Sequence, residues 1–165
     1  MREYSFVTRW YLEAPIERVF AEIETPSEWP SWWPGVRAVS VLDEGRPDGV
    51  GHVTRTTWRS RLPYDLTFNA RTVLREAPRV IEVEAFGELS GRGRWELASD
   101  GNGTLVTYYW NVATSKWWMN VLAPLARPFF ERNHDVIMRW GGEALGKRLG
   151  VKFEDRSRDP ATAAS

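Results

Sequence analysis

The chain has 165 residues, enough for one domain with a single substantial core and too few for two. Its 22 basic and 22 acidic residues give a formal net charge of zero, so no whole-protein field draws it to nucleic acid, an anionic membrane or an acidic substrate. Cysteine is absent, which excludes disulfides, thiol catalysis and Cys-ligated metal, and suits a reducing, cytoplasmic location.

Residues 1–10 alternate polar and apolar side chains, without the continuous apolar core of a signal peptide. Tyr4, Phe6, Thr8, Trp10 and Leu12 share one face at period two, predicting a first strand over 4–12. Pro15 suits a helix first turn, and Ile16, Val19, Phe20 and Ile23 recur at helical spacing until Pro26. The run Trp29-Pro30-Ser31-Trp32-Trp33-Pro34-Gly35 holds too many prolines for a long helix and predicts a short helical turn and loop.

Six further strands are expected at 36–42, 52–61, 62–74, 79–86, 88–97 and 105–113. The loops at 44–49 and 99–103, the turn at 76–78 and the bend at 86–88 are short enough to make these strands antiparallel neighbours. Tyr64, Leu66, Phe68 and Ala70 form one apolar face; Leu89, Gly91, Gly93, Trp95 and Leu97 form a second; Val106, Tyr108, Trp110 and Val112 form a third. Neither face of the strand carrying Thr54, Thr56 and Trp58 is plainly core.

The last long apolar pattern, 117–149, predicts a helix roughly 45 Å long at 1.5 Å per residue, enough to cover a sheet. Trp118, Leu122, Leu125, Phe129, Val136, Trp140 and Ala144 fall on one stripe, widened by Ala126, Phe130 and Ile137, with Asn133 as its polar exception. Pro124 and Pro128 predict a kink, or a short helix from Trp117 followed by a main helix starting near Pro128. Gly141, Gly142 and Gly146 signal close packing or a helix surface thinned for a ligand. No apolar run is long enough to span a membrane. Residues 152–165 lack periodicity and read as a disordered tail, which places a single domain at 1–151.

The strand ending Leu12-Glu13-Ala14-Pro15-Ile16-Glu17-Arg18-Val19-Phe20, the Trp29/Trp32 segment, the six-strand run and the terminal amphipathic helix resemble the START/Bet v 1-like (SRPBCC, helix-grip) superfamily. Within it the chain is most similar to the polyketide cyclase/dehydrase and lipid-transport members. The resemblance implies an α+β helix-grip fold: a seven-stranded curved antiparallel sheet around the carboxy-terminal helix, two short helices between strands 1 and 2, and an apolar cavity between sheet and helix.

Ten tryptophans exceed what a core of this size needs, so either the core is unusually aromatic or rings line a cavity. The expected ligand-binding set is Trp58, Tyr64, Phe68, Trp95, Tyr108, Trp110, Phe129, Asn133, Ile137 and Trp140. An amide at Asn133 facing a core needs a partner, whether a strand residue such as Thr56, a water or a ligand. The two histidines, His52 and His134, lack metal-ligand spacing, so no metal is expected, and no cofactor motif is present. Glu82 and Glu84 sit on the outer face opposite arginines, where ion pairing with Arg71 or Arg92 is their natural role. The leading reading is a non-enzymatic binder or carrier of a hydrophobic small molecule, lipid, aromatic or polyketide-like, acting as monomer or homodimer. The alternatives are an aromatase/cyclase using Tyr64, Tyr108, Asn133 or His134, and an interaction module presenting Trp29, Trp32 and Trp33.

Overall fold

The computed structural model describes residues 3–158. The alternating segments form β1 (Glu3–Leu12), β2 (Val36–Asp43), β3 (Val53–Arg59), β4 (Asp65–Glu76), β5 (Val80–Gly87), β6 (Leu89–Asp100) and β7 (Gly103–Thr114), and an eighth strand, β8 (Phe153–Asp155), follows the last helix. They make one antiparallel sheet in the order β2-β3-β4-β5-β6-β7-β1-β8. The helices are α1 (Ile16–Ile23), α2 (Trp29–Trp32), α3 (Trp117–Val121) and α4 (Ala123–Leu149). This is the expected α+β helix-grip architecture with eight strands instead of seven. The extra strand is three residues long, below what alternation can signal.

That strand also moves the expected boundary at 151. Phe153 pairs with Leu12, so residues 153–155 belong to the sheet, and the backbone N–H of Arg156 just beyond them donates to the Arg9 carbonyl at 2.9 Å. The remainder of the expected tail, 159–165, lies outside the described residues.

Residues from the inner faces of the strands meet α1 and α4 in the core. Val19, Phe20 and Ile23 of α1 join Leu12, Leu97, Val106 and Leu145 there. The face of β3 that its sequence leaves ambiguous is the Thr54/Thr56/Trp58 face: both threonines are buried and Trp58 packs on the core.

The long helix departs from expectation in two ways. Pro124 falls in the first turn of α4, where it costs nothing, and Pro128 is carried inside the helix, so the main helix starts at Ala123 and not near Pro128. The inward stripe is also displaced by about one residue, roughly 100° around the axis. Leu122, Leu125 and Phe129 are exposed, while Phe130, His134, Ile137, Met138, Gly141 and Leu145 face the protein. Hydrophobicity misleads here because the true inner face carries a histidine and glycines, the space above them being taken by rings from other elements.

Gly141 shows how. A Cβ there would stand 2.3 Å from Cε2 of Trp33, and one at Gly142 would stand 2.4 Å from the Phe153 ring. Close packing is therefore the reason for both glycines. The Trp33 indole N–H also donates to the Ile137 carbonyl at 2.9 Å. Replacing Gly141 with alanine should lower stability by about 1–3 kcal/mol through overpacking, although alanine is the better helix former. A denaturant midpoint unchanged or raised in Gly141→Ala would contradict this packing.

Candidate functional site

Between the sheet and α4 lies a cavity of about 150 Å³. Strand β1 supplies Tyr4 and Phe6, β3 Trp58, β4 Leu66 and Phe68, β6 Leu89 and Trp95, and β7 Tyr108, Trp110 and Val112; α4 supplies Phe130, Asn133, His134, Ile137 and Met138. Trp29 and Trp33 complete the wall from the α2 region. Each strand residue is inward because its parity in a period-two strand puts it on the concave face.

Of the ten residues expected to bind ligand, the structure brings eight together around this space: Trp58, Tyr64, Phe68, Trp95, Tyr108, Trp110, Asn133 and Ile137. Phe129 is 66% exposed on the outer side of α4, and its neighbour Phe130 takes the inward position. Trp140 lies on the helix flank near Gly35, with the Arg61 guanidinium 5.9 Å from its ring centre. Both belong to the displaced stripe. The expectation missed Tyr4, Phe6, Leu66 and Leu89, although their strand alternation already pointed to the same face. It also missed Trp29 and Trp33, whose proline-rich segment reads as a surface loop. Both are buried, and Trp32, the third ring expected to be presented to a partner, is half-buried.

The rings order one another. Tyr108 stacks on Trp95 at 4.0 Å and 18°, Phe68 lies 5.4 Å from Trp110, and Phe6 stacks on His134 at 3.9 Å and 14°. Gly93 makes room for this layer: its register partner is Trp110, whose ring a Cβ would meet at 2.8 Å. A second cavity of about 210 Å³ lies beyond Trp58, Phe68, Trp95, Tyr108 and Trp110, which line both spaces. It is the more polar of the two, with Thr54, Thr56, Thr72 and the Glu24–Arg75 ion pair (2.8 Å) in its walls.

Among the described residues no Asp, Glu, Lys or Arg lines the first cavity; its polar groups are hydroxyls, indole N–H groups, one amide and one imidazole. Burial, with a smaller contribution from Tyr4, pushes the Tyr64 phenol up to about 12, and burial pushes the Tyr108 phenol up as well, so both remain protonated donors at neutral pH. Thr56 does not partner Asn133: its hydroxyl accepts from Trp58 Nε1 at 3.0 Å and donates to the Phe68 carbonyl at 3.5 Å. Both ring nitrogens of His134 are shielded from solvent and lack a hydrogen-bond partner in the structure. Asp135 Oδ1 is 3.7 Å from Nδ1, too far for a hydrogen bond. Burial holds the imidazole below its ordinary value of 6.5, the nearby Asp135 opposing this weakly. Among the described residues no three His, Cys, Asp or Glu side chains gather in a metal-binding group.

A family model described as polyketide cyclase/dehydrase and lipid transport matches residues 5–148. The chain belongs to this family. The family fits a fold that binds hydrophobic ligands. The Zhui aromatase/cyclase from Streptomyces sp. R1128 is similar over 98% of this chain and 99% of that one, at 17% identity and a TM-score of 0.74. A START superfamily protein from Mycobacterium smegmatis is similar over 90% of this chain and 97% of that one, at 14% identity and a TM-score of 0.69. The di-domain aromatase/cyclase BexL of the BE-7585A biosynthetic pathway aligns over 88% of this chain at 18% identity and a TM-score of 0.69, and the chain spans 49% of its length. At these identities the likeness is one of fold. No curated protein sequence matches the chain at a significant level.

His134 generates a pH prediction. A histidine held neutral by burial binds fewer protons folded than unfolded, so its contribution is fully present above pH about 6.5 and is lost as pH falls from there towards the lowered native value. The melting temperature should drop between about pH 7.5 and 5.5, and His134→Phe, which keeps a ring on Phe6, should flatten that drop. Parallel curves for the two proteins would show that His134 is not the group responsible.

Proposed function

We propose that the protein binds and carries an uncharged, largely apolar small molecule in the cavity between the sheet and α4. The single observation that carries this reading is a wall built mainly of aromatic and aliphatic side chains, with no Asp, Glu, Lys or Arg in it among the described residues. Transferring an ion into such a space without a counter-charge costs far more than transferring a neutral ring. An apolar cavity of about 150 Å³ accommodates a molecule of roughly benzene size. Two fused rings require the layer of Trp58, Phe68, Tyr108 and Trp110 to part towards the second cavity. The Tyr64 and Tyr108 hydroxyls and the Asn133 amide then orient the ligand through whatever hydroxyl or carbonyl it bears.

A second reading, ring closure and dehydration of a reactive keto chain, is favoured by one observation: His134, held neutral and without a hydrogen-bond partner beside Asn133, is in the form that accepts a proton. An unchanged product distribution from a reactive keto chain with His134→Phe in place of the native protein would remove this reading and leave the carrier.

The carrier reading is tested by titrating naphthol and naphthoate into the protein, following tryptophan quenching and thermal shift, with native mass spectrometry for stoichiometry. One equivalent of naphthol should bind, on the order of tenfold or more tighter than naphthoate. Leu66→Trp, which fills the cavity, should abolish the binding. Equal affinity for the two compounds, or no binding of either together with no ligand retained on purification from the native host, would overturn the reading.

A further inference from the structure

One margin of the sheet is an open strand. β2 is the outermost strand, with β3 as its one neighbour, while the opposite margin is formed by the three residues of β8. Among the described residues no main-chain hydrogen bond reaches residues 37–43 from anything but β3. A row of amide and carbonyl groups therefore faces outward, the pattern that templates pairing with a further strand. Sheets commonly guard such a margin with lysine or proline, and β2 has neither. Its pairing with β3 shifts at Arg37 and at Leu42 and is regular from Ala38 to Val41.

The side chains of this edge are as open as its backbone. Residues 37–43 are exposed except Val39, which is half-buried, and Val41 and Leu42 are exposed by 40 and 48%. Among the described residues Arg37 has no carboxylate partner and Asp43 no cationic one; the Asp43 carboxylate accepts from the Gly45 N–H at 2.9 Å.

The strand is complementary to itself. A twofold axis at Ser40 sets a second β2 antiparallel to the first, with Arg37 opposite the partner's Asp43 and Val39 opposite the partner's Val41, each pairing occurring twice. Val39 and Val41 lie across from Thr56 and Thr54, whose side chains are buried on the concave face, so the valines of both copies come together on that side. Moving the axis to Val39 or to Val41 sets Arg37 opposite Val41 or Gly45 and loses the charge match. Exposed ion pairs add little energy, so their part here is to choose the register, while backbone hydrogen bonds and valines supply the attraction. Pairing of β2 with the β8 margin of another molecule has less to offer: β8 is three residues long, and its Glu154 and Asp155 are already paired with Arg156 and Arg139.

We infer that β2 is a dimerisation edge, at which two copies of this chain join antiparallel about an axis at Ser40 into one continuous sheet. The inference stands on the open edge and its self-matching charges and does not require the cavity to bind anything.

The experiment is sedimentation velocity of the full chain over a concentration series up to roughly 100 µM, because a contact built on one strand pair dissociates in the micromolar range. A dimer should form. Arg37→Asp and Asp43→Arg should each weaken it by on the order of tenfold or more, and the two together should restore it to within about threefold of the native protein. Asp43→Arg also loses the Gly45 hydrogen bond, but so does the double variant, so the restoration isolates the charges. Val41→Lys, which places a charge on the edge, should leave a monomer. These positions line neither cavity, and near-ultraviolet circular dichroism shows whether each variant keeps the native fold. Native protein that stays monomeric throughout the series overturns the inference. So does a dimer that the single charge changes leave intact, one that the double variant fails to restore, or one that Trp117→Glu abolishes and Val41→Lys does not.

Discussion

The site depends on one junction, where Trp33 meets the middle of α4. Its indole N–H donates to the Ile137 carbonyl, the acceptor that helical geometry also assigns to the N–H of Gly141. The ring lies against Gly141 so closely that no Cβ fits between them. From that position Trp33 touches Trp10, Trp29, Trp32, Trp58 and Trp95, with ring centres 5.1 to 6.5 Å apart. A single side chain thus ties the short helix α2, the spine of α4 and three strands together. Helix α4 cannot move onto the sheet without displacing this cluster, and the cavity persists because the cluster holds the helix off.

Most of the architecture was legible in the sequence because strand alternation and short polar turns survive without tertiary context. The inward faces of β4, β6 and β7 follow from parity alone, and eight of the expected ligand-binding residues gather around the cavity on that basis or from the helix. What misled was the orientation of α4. Its outer ridge, with Leu125 and Phe129, is more hydrophobic than its inner face, where Gly141, Gly142 and Gly146 are small because Trp33 and Phe153 occupy the volume. A period-counting argument assumes that a helix buries its own apolar bulk. Here the bulk comes from the partners. Strand β8 and the burial of Trp29 and Trp33 were hidden for related reasons, each depending on contacts made far away in sequence.

Charge is partitioned with equal consistency. Among the described residues the wall of the first cavity holds no ionic group, whereas Glu82 on the outer face pairs with Arg92 and Arg94 at 3.5 Å, and arginines cap surface rings such as Phe86 and Tyr11. Guanidinium groups suit this task because they stack and pair at once. The neutral total therefore does not mean uniform neutrality: it combines an outer shell of paired ions, a first cavity walled by uncharged side chains and a second cavity that admits one ion pair, Glu24–Arg75.

The strand order carries a consequence for how the chain is made. Strand β1 has as its two neighbours β7 and β8, formed by Gly103–Thr114 and Phe153–Asp155. Of the eight strands β1 is synthesised first and both of its partners late, so this segment, with Tyr4, Phe6 and Trp10 on one face, has no lateral hydrogen-bonding partner of its own until β7 has been made, whereas β2 to β6 each have a neighbour adjacent in sequence. Closure of the sheet then joins segments far apart in sequence, and the pocket wall where Phe6 stacks on His134 needs β1 and α4 both in place.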